Sequence, residues 1–202
     1  MVYRVPNLGE FLFHLTHVDN PPSILQHGIL SHNTAYRRGI IKRDVSSNPV
    51  QAIREGKLDS VYDRPLHDYA SLYFMPKNPM LKQLQVFHQD VAILGITPDV
   101  MFQRGTVFTD GNAACTDTRF FKKPSSLSRR RWDIIRSNDW DSYDDGKRIK
   151  CAEVLVYPSV SARDIAAIFC QTHLQMSRVL ANIGQKHVSL PVFVRSDLFF
   201  DK

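Results

Sequence analysis

Cys151-Ala152-Glu153-Val154-Leu155-Val156-Tyr157 reads as one strand of a packed sheet, apolar on both faces except for a single carboxylate. Side chains alternate along a strand, so Glu153 shares a face with Cys151, Leu155 and Tyr157, while Ala152, Val154 and Val156 share the other. A glutamate is seldom placed in such a strand without a partner, because an ionised carboxylate loses its hydration on burial. Two readings of Glu153 follow. It is an edge-strand or ion-paired residue, or it is an active-site carboxylate that stabilises positive charge or polarises a hydroxyl.

Working outward, aromatic and β-branched content predicts further strands over residues 11–18, 69–74, 91–96, 106–109, 165–170 and 190–194. Helices are predicted over 20–28 and 48–56, each opened by Asn-Pro as cap and first turn and closed by Gly, and over 128–136 and 172–184. Strands and short helices mix without βαβ alternation. This predicts an α+β class built around a twisted, mainly antiparallel sheet, as one domain over 1–202.

The 202 residues are 43% hydrophobic and 23% charged, ordinary values that exclude a disordered tail, a coiled coil or a fibre. No apolar run reaches the roughly 18 residues of a membrane-spanning helix. The opening Met1-Val2-Tyr3-Arg4-Val5-Pro6-Asn7 has no apolar signal region, so a cytoplasmic location is expected, with no membrane partner. The cysteines Cys115, Cys151 and Cys170 lie far apart without a Cys-x-x-Cys pair, and are expected to be buried, reduced thiols. His14-Leu15-Thr16-His17 places the histidines on opposite faces, which argues against a metal centre, while His14 and Thr16 present donors and acceptors together. Neither a glycine-rich phosphate loop nor a nucleophile elbow is present.

Lys+Arg exceed Asp+Glu by 26 to 20, a net charge of +6 that suits a polyanion. The excess is concentrated at Arg119, Lys122, Lys123, Arg129, Arg130, Arg131 and Arg136, followed by the acidic run Asp139, Asp141, Asp144 and Asp145. Trp132, Trp140 and Tyr143 are interleaved. Such a block either tracks a phosphate backbone and stacks bases or pairs internally on a solvated surface. A second basic loop carries Arg37, Arg38, Lys42 and Arg43.

These segments, in this order, resemble the DarT family of DNA ADP-ribosyltransferase toxins. The resemblance is carried by His14-Leu15-Thr16-His17-Val18-Asp19-Asn20 with Ile24-Leu25 and Gly28, by Asn48-Pro49-Val50 through Arg54, and by His67-Asp68-Tyr69 with Tyr73-Phe74 and Pro79-Met80-Leu81. Asp110-Gly111-Asn112-Ala113-Ala114, Arg119-Phe120 and Ala152-Glu153-Val154-Leu155-Val156-Tyr157 complete it.

The resemblance implies a compact ADP-ribosyltransferase-like fold around a split sheet. It implies NAD, consumed as co-substrate without a metal, and transfer to thymine or guanine in single-stranded DNA with release of nicotinamide. It also implies the toxin half of a pair whose antitoxin is a DarG-like macrodomain protein. Residue by residue, it implies that Glu153 and Arg54 are catalytic. His14, Leu15, Thr16, Ser23, Ser31 and Arg54 would hold NAD, with Arg54 on its phosphates. Arg119, Arg129, Arg130, Arg131, Trp140, Tyr143, Lys147 and Arg148 would bind nucleic acid, with 137–150 as the acceptor-recognition loop. Where many thymine-modifying members read His-Asp-Tyr-Val-Pro-Phe-Tyr-Phe, this chain reads His67-Asp68-Tyr69-Ala70-Ser71-Leu72-Tyr73-Phe74, which leaves both acceptor bases open.

The chemistry agrees with the implied roles. Departing nicotinamide leaves an oxocarbenium-like ribose carbon, and a carboxylate on a ribose hydroxyl stabilises that charge most in the transition state. A base in a single strand needs no extrusion from a duplex. Two other readings share these residues: an RNA-directed ADP-ribosyltransferase or 2′-phosphotransferase, and a non-enzymatic single-strand nucleic-acid-binding module. The latter leaves the burial of Glu153 unexplained.

Overall fold

The computed structural model of the protein describes residues 9–40, 43–184 and 189–201. The expectations for residues 1–7 and for Lys42 lie outside them.

The chain begins with β1 (Leu12–His17), α1 (Pro21–His27), β2 (Ile29–Leu30), α2 (His32–Arg37) and α3 (Asn48–Glu55). Next come β3 (Ala70–Tyr73), α4 (Pro79–Gln83), β4 (Val91–Ile96), β5 (Val107–Thr109) and β6 (Phe120–Phe121). The rest is α5 (Trp132–Arg136), α6 (Gly146–Lys150), β7 (Glu153–Val156), β8 (Ser159–Val160), β9 (Ile165–Cys170), α7 (His173–Ile183) and β10 (Val192–Val194). Eight strands form one sheet in the order β10-β9-β4-β1-β3-β7-β5-β6, and β2 pairs with β8 apart from it. Every pair in the large sheet is antiparallel except β10 with β9.

The sheet is split in its middle. β1 pairs with β4 along its whole length, from Leu12↔Ile96 to His17↔Val91, but meets β3 only at Phe13↔Tyr73. All six residues of β4 are buried, as a strand covered on both faces requires. The alternation read along β7 is observed. Ala152, Val154 and Val156 join the main core with Leu12, Leu72 and Ile168, whereas Leu155 joins Leu66, Tyr69 and Val107 with Tyr157 against them. Each such aliphatic side chain contributes about 1.5–3 kcal/mol by leaving water, so a charge on this strand is tolerated only with partners.

Local details differ from the sequence reading for identifiable reasons. Asn20 does not cap α1 with its side chain. That amide donates to Thr16 Oγ1 (3.0 Å) and to the Arg43 carbonyl (2.7 Å), and accepts the Arg43 N–H (3.2 Å). Gly28 closes α1 at φ 81°, where a Cβ would also strike the Val160 carbonyl of β8. The α3 cap position falls on Ser47, and its closing Gly56 has a negative φ.

The single helix expected over 128–136 is two, a 3₁₀ turn at Pro124–Arg129 and then α5. The Leu127 carbonyl takes the Arg130 N–H and the Trp132 indole N–H, leaving no i+4 bond to continue a helix. The elements missed by pattern, β2, α2, α4, β6, β8 and α6, are two to six residues long, too short to show a period. Among the described residues no helix is long and apolar enough to cross a membrane.

Candidate active site

Glu153 lies at the split, opposite Tyr73 on β3, and is 1% exposed. Its main-chain N–H donates to Thr109 Oγ1 at the end of β5 (2.8 Å), whose hydroxyl donates to the Gly111 carbonyl (2.6 Å). After this turn the Ala113 N–H donates to Glu153 Oε1 (2.8 Å). From the other side Arg54 Nη1 reaches both carboxylate oxygens (3.2 and 3.1 Å), and Nη2 donates to Ser71 Oγ (2.8 Å). The side chains of this ion pair are 8% and 1% exposed. The carboxylate is therefore met by one guanidinium and one main-chain dipole. Two nitrogens of the expected arginine fork are thus engaged by Glu153 and Ser71, and the guanidinium still lines the cleft. Burial and the nearby Glu153 charge push the Tyr73 phenol well above its usual range, so it stays neutral.

These groups line a cleft of about 730 Å³, within the size of ligand sites generally. His14 and Thr16 are on its wall. His14 Nδ1–H donates to the Ser71 carbonyl (3.1 Å), bridging the strands where their main-chain pairing stops. Burial holds the imidazole below its ordinary pKa, so the ring is neutral and Nε2 is left as an acceptor. Thr16 Oγ1, already accepting from Asn20, can donate its hydrogen. Ser23 also lines the cleft, its hydroxyl 3.5 Å from the Ile40 carbonyl. Leu15 packs its side chain with Leu81, Val91 and Phe169, leaving only its main chain for a ligand. Ser31 is a correction. It is 1% exposed and caps α2, accepting from the Thr34 N–H and donating to Thr34 Oγ1, and it does not line the cleft.

The native imidazole of His14 is harder to protonate than an unfolded one. The unfolded chain therefore binds more protons as pH falls below about 6.5, and stability is lost in that direction. From about pH 7.5 to about 5.5 the thermal midpoint should fall further in the wild type than in His14→Asn. Equal falls would remove His14 from the account.

The acceptor-side residues divide. Tyr143 (37% exposed) and Lys147 line the cleft mouth with open side chains. Trp140 also lines the cleft, but it is 7% exposed, edge-on to Phe200 at 5.8 Å and beside the Lys150 ammonium, so most of its ring anchors the loop. That Lys150 is buried, donates to the Ile135 carbonyl (2.7 Å), and has its pKa lowered by desolvation to about 8.

Arg148 lines the cleft too, but its guanidinium is already engaged. It donates to Asp145 Oδ2 (2.7 Å), Asp110 Oδ1 (3.0 Å) and Thr118 Oγ1 (3.2 Å), and its carbonyl accepts the Asn112 N–H (2.9 Å). It staples the acceptor loop to the turn that supplies the Ala113 donor, and a Cβ on Gly111 would collide with its guanidinium. Arg148→Gln should therefore lower transfer about tenfold or more at unchanged salt dependence of DNA binding, since the lost bonds are intramolecular. A flattened salt slope with normal turnover would restore Arg148 to the phosphate contacts.

Arg119 and Arg129 are exposed. Arg131 is exposed and paired with Asp133, and Arg130 lies 3.9 Å over the Phe121 ring. Among the acidic residues, Asp145 is paired with Arg148, and Asp139 accepts from Ser142.

Several contributors were not singled out in the sequence. Ser71, the Ala113 N–H and Thr109 act through contacts made only in the folded chain. Cys115 corrects the expectation of buried thiols: it is half-buried and lines the cleft, whereas Cys151 and Cys170 are buried. No cluster of three His, Cys, Asp or Glu suited to a metal occurs among the described residues.

A split antiparallel sheet with a buried, arginine-paired glutamate at the split defines the class: an ADP-ribosyltransferase-like fold. The family model described as "ssDNA thymidine ADP-ribosyltransferase, DarT" matches residues 13–200, and the chain belongs to the DarT family. A DNA ADP-ribosyl transferase–DNA ADP-ribosyl glycohydrolase fusion protein of Thermosipho africanus is 34% identical over 94% of this chain and 49% of its own length. The chain thus spans about half of that relative. A DNA ADP-ribosyl transferase of Thermus aquaticus is 29% identical, with 100% of this chain and 93% of that protein covered. Among solved structures, Thermosipho africanus DarTG with ADP-ribose has a TM-score of 0.80 at 32% identity, covering 95% of this chain and 51% of that one. The fold of Thermus sp. 2.9 DarT has a TM-score of 0.85 at 24% identity, covering 95% and 96%.

Proposed function

We propose that this protein transfers ADP-ribose from NAD to a nucleobase of single-stranded DNA and releases nicotinamide. The observation that carries the reading is Glu153, buried at the cleft wall and held by Arg54 and the Ala113 N–H. A carboxylate so fixed needs no reorganisation when positive charge develops on the ribose carbon. The cleft suits a dinucleotide: His14 Nε2, Thr16 and the Asn20 amide offer neutral donors and acceptors, and the Arg54 guanidinium has further N–H groups beyond those engaged. The bond between the ribose carbon and the nicotinamide nitrogen breaks with its electron pair on nicotinamide. The base nitrogen bonds to that carbon and loses its proton. Tyr143 and Lys147 at the mouth receive the acceptor strand, and Arg119 and Arg129 draw its phosphates.

Thymidine is the first acceptor to test, following the family description, with guanine as the other. The Thermosipho relative joins a transferase to a glycohydrolase in one chain, which supports a toxin whose antitoxin is a macrodomain protein that removes the adduct.

The test is mass spectrometry of oligonucleotides incubated with the protein and NAD, each of single-stranded DNA, duplex DNA and RNA, varied one base at a time. One added ADP-ribose on single-stranded DNA is expected. Modification confined to RNA, or nicotinamide release without a DNA adduct, would overturn the reading.

A further inference from the structure

A second wall of the cleft carries a column of stacked rings. The His67 and His32 rings lie 4.1 Å apart at 26°, and those of His32 and Tyr36 lie 4.2 Å apart at 32°, so His32 is the middle ring. The inner end is closed. His67 is 6% exposed and its Nε2–H donates to Gln51 Oε1 (2.9 Å). The outer end is open, with Tyr36 54% exposed. Its ring is nevertheless fixed, because the hydroxyl donates to Asp44 Oδ2 (3.0 Å), and Asp44 in turn accepts the Ser46 N–H (2.8 Å). Desolvation keeps both imidazoles below their ordinary pKa, so the column is neutral and stacks without charge repulsion.

Basic residues flank Tyr36 in the chain, and the Arg37 guanidinium is held back on the Asn33 carbonyl and Thr34. Residues 32–40 include Arg37 and Arg38 and no acidic residue, and both arginines are exposed. Arg43, also exposed, is next to the Asp44 that orients the ring, and its main chain is locked to the Asn20 side chain. These arginines belong to the basic loop evident in the sequence; Arg43 also lines the cleft, while Arg37 and Arg38 do not.

We infer that the Tyr36–His32–His67 column is a stacking platform for a nucleotide flanking the acceptor in the bound DNA strand, with Arg37, Arg38 and Arg43 contacting its phosphates. An exposed ring already immobilised loses little conformational entropy on stacking. Every base has a π-face, so the platform adds affinity without choosing a sequence. Tyr36 lies outside the cleft lining, whereas His32 and His67 are part of it, which presents the open face to a polymer crossing the mouth rather than to a ligand within. The inference rests on the proposed transfer to single-stranded DNA.

The experiment uses single-stranded oligonucleotides carrying 2-aminopurine at successive positions on either side of the acceptor base. In the wild type, fluorescence should be quenched at one flanking position. Tyr36→Ala should abolish that quench and weaken oligonucleotide binding about tenfold, Tyr36→Trp should retain both, and NAD affinity should not change. Replacing Arg37, Arg38 and Arg43 by Gln should lower the slope of log K against log salt by about 2. Unchanged oligonucleotide affinity in Tyr36→Ala would overturn the inference, as would a loss of NAD affinity, which would assign the platform to adenine of the co-substrate. If wild type modifies DNA and Tyr36→Ala binds it normally, the platform fails while the activity stands. If wild type binds DNA without modifying it, the activity fails and the quench still decides the platform.

Discussion

Glu153→Gln should lower ADP-ribose transfer by about 100-fold or more, the scale of losing one preorganised electrostatic stabiliser, while leaving the fold and NAD binding nearly unchanged. Gln keeps the shape, and its one carbonyl oxygen in the Oε1 place can still accept from the Ala113 N–H and from Arg54, so the contacts at 2.8 and 3.2 Å need not be abandoned, while the acceptor at Oε2 is lost. What disappears is the negative charge that faces the reacting ribose carbon. Glu153→Ala is a poorer test, because it also strands the guanidinium of Arg54, whose side chain is 8% exposed, and an unpaired buried charge is destabilising in its own right. The measurement is single-turnover transfer to a single-stranded oligonucleotide, with thermal midpoints of both proteins alongside. In bacteria, expression of the wild type should arrest growth and matched expression of Glu153→Gln should not. A Gln variant with near wild-type turnover would remove Glu153 from the chemistry and leave it as half of a structural ion pair.

Arg54→Ala should produce the second large effect, of a different kind. It removes the one cation contacting Glu153, leaves the carboxylate buried with only the Ala113 N–H, and leaves Ser71 Oγ without its donor. Breaking a buried pair this way costs about 3–5 kcal/mol of stability, so transfer and thermal stability should fall together. Arg54→Lys separates the contributions. An ammonium can neutralise Glu153 but cannot reach Glu153 and Ser71 together in the planar geometry seen here, so stability should recover more than transfer does. Full recovery of both would mean that only the point charge at this position matters.

The two effects trace to one arrangement. Glu153 is recognisable in the sequence because its strand is otherwise apolar, whereas Arg54 is pointed to only by the resemblance to the DarT family. Nothing in their spacing of 99 residues says that they touch. The contact arises because β7 is paired to β3, whose Ser71 and Tyr73 complete the wall. Residues whose side chains the fold engages internally follow the same logic. Arg148 has the composition of a phosphate contact, and only the return of the chain at Asp110 and Asp145 turns it into a staple. Trp140 has the composition of a stacking platform, but Phe200, far along the chain, covers it. His32, His67 and Tyr36 drew no attention as a group, yet they assemble the only continuous three-ring column described at the cleft.

The amino-acid sequence by itself determined the α+β class, the faces of β7, seven of the eight strands of the large sheet and Glu153 as the anomalous charge among them. These depend on local periodicity and on the cost of placing a carboxylate among apolar neighbours, both of which are written in consecutive residues. Only the tertiary structure decided which charges are used up internally and which stay open to a ligand. Pairing energy depends on distance and burial, and those are set by strand register and loop return between segments far apart in the chain. That is why Arg129 and Tyr143 stay open while Arg148 and Trp140, drawn from the same basic and aromatic stretch, are consumed in holding the site together.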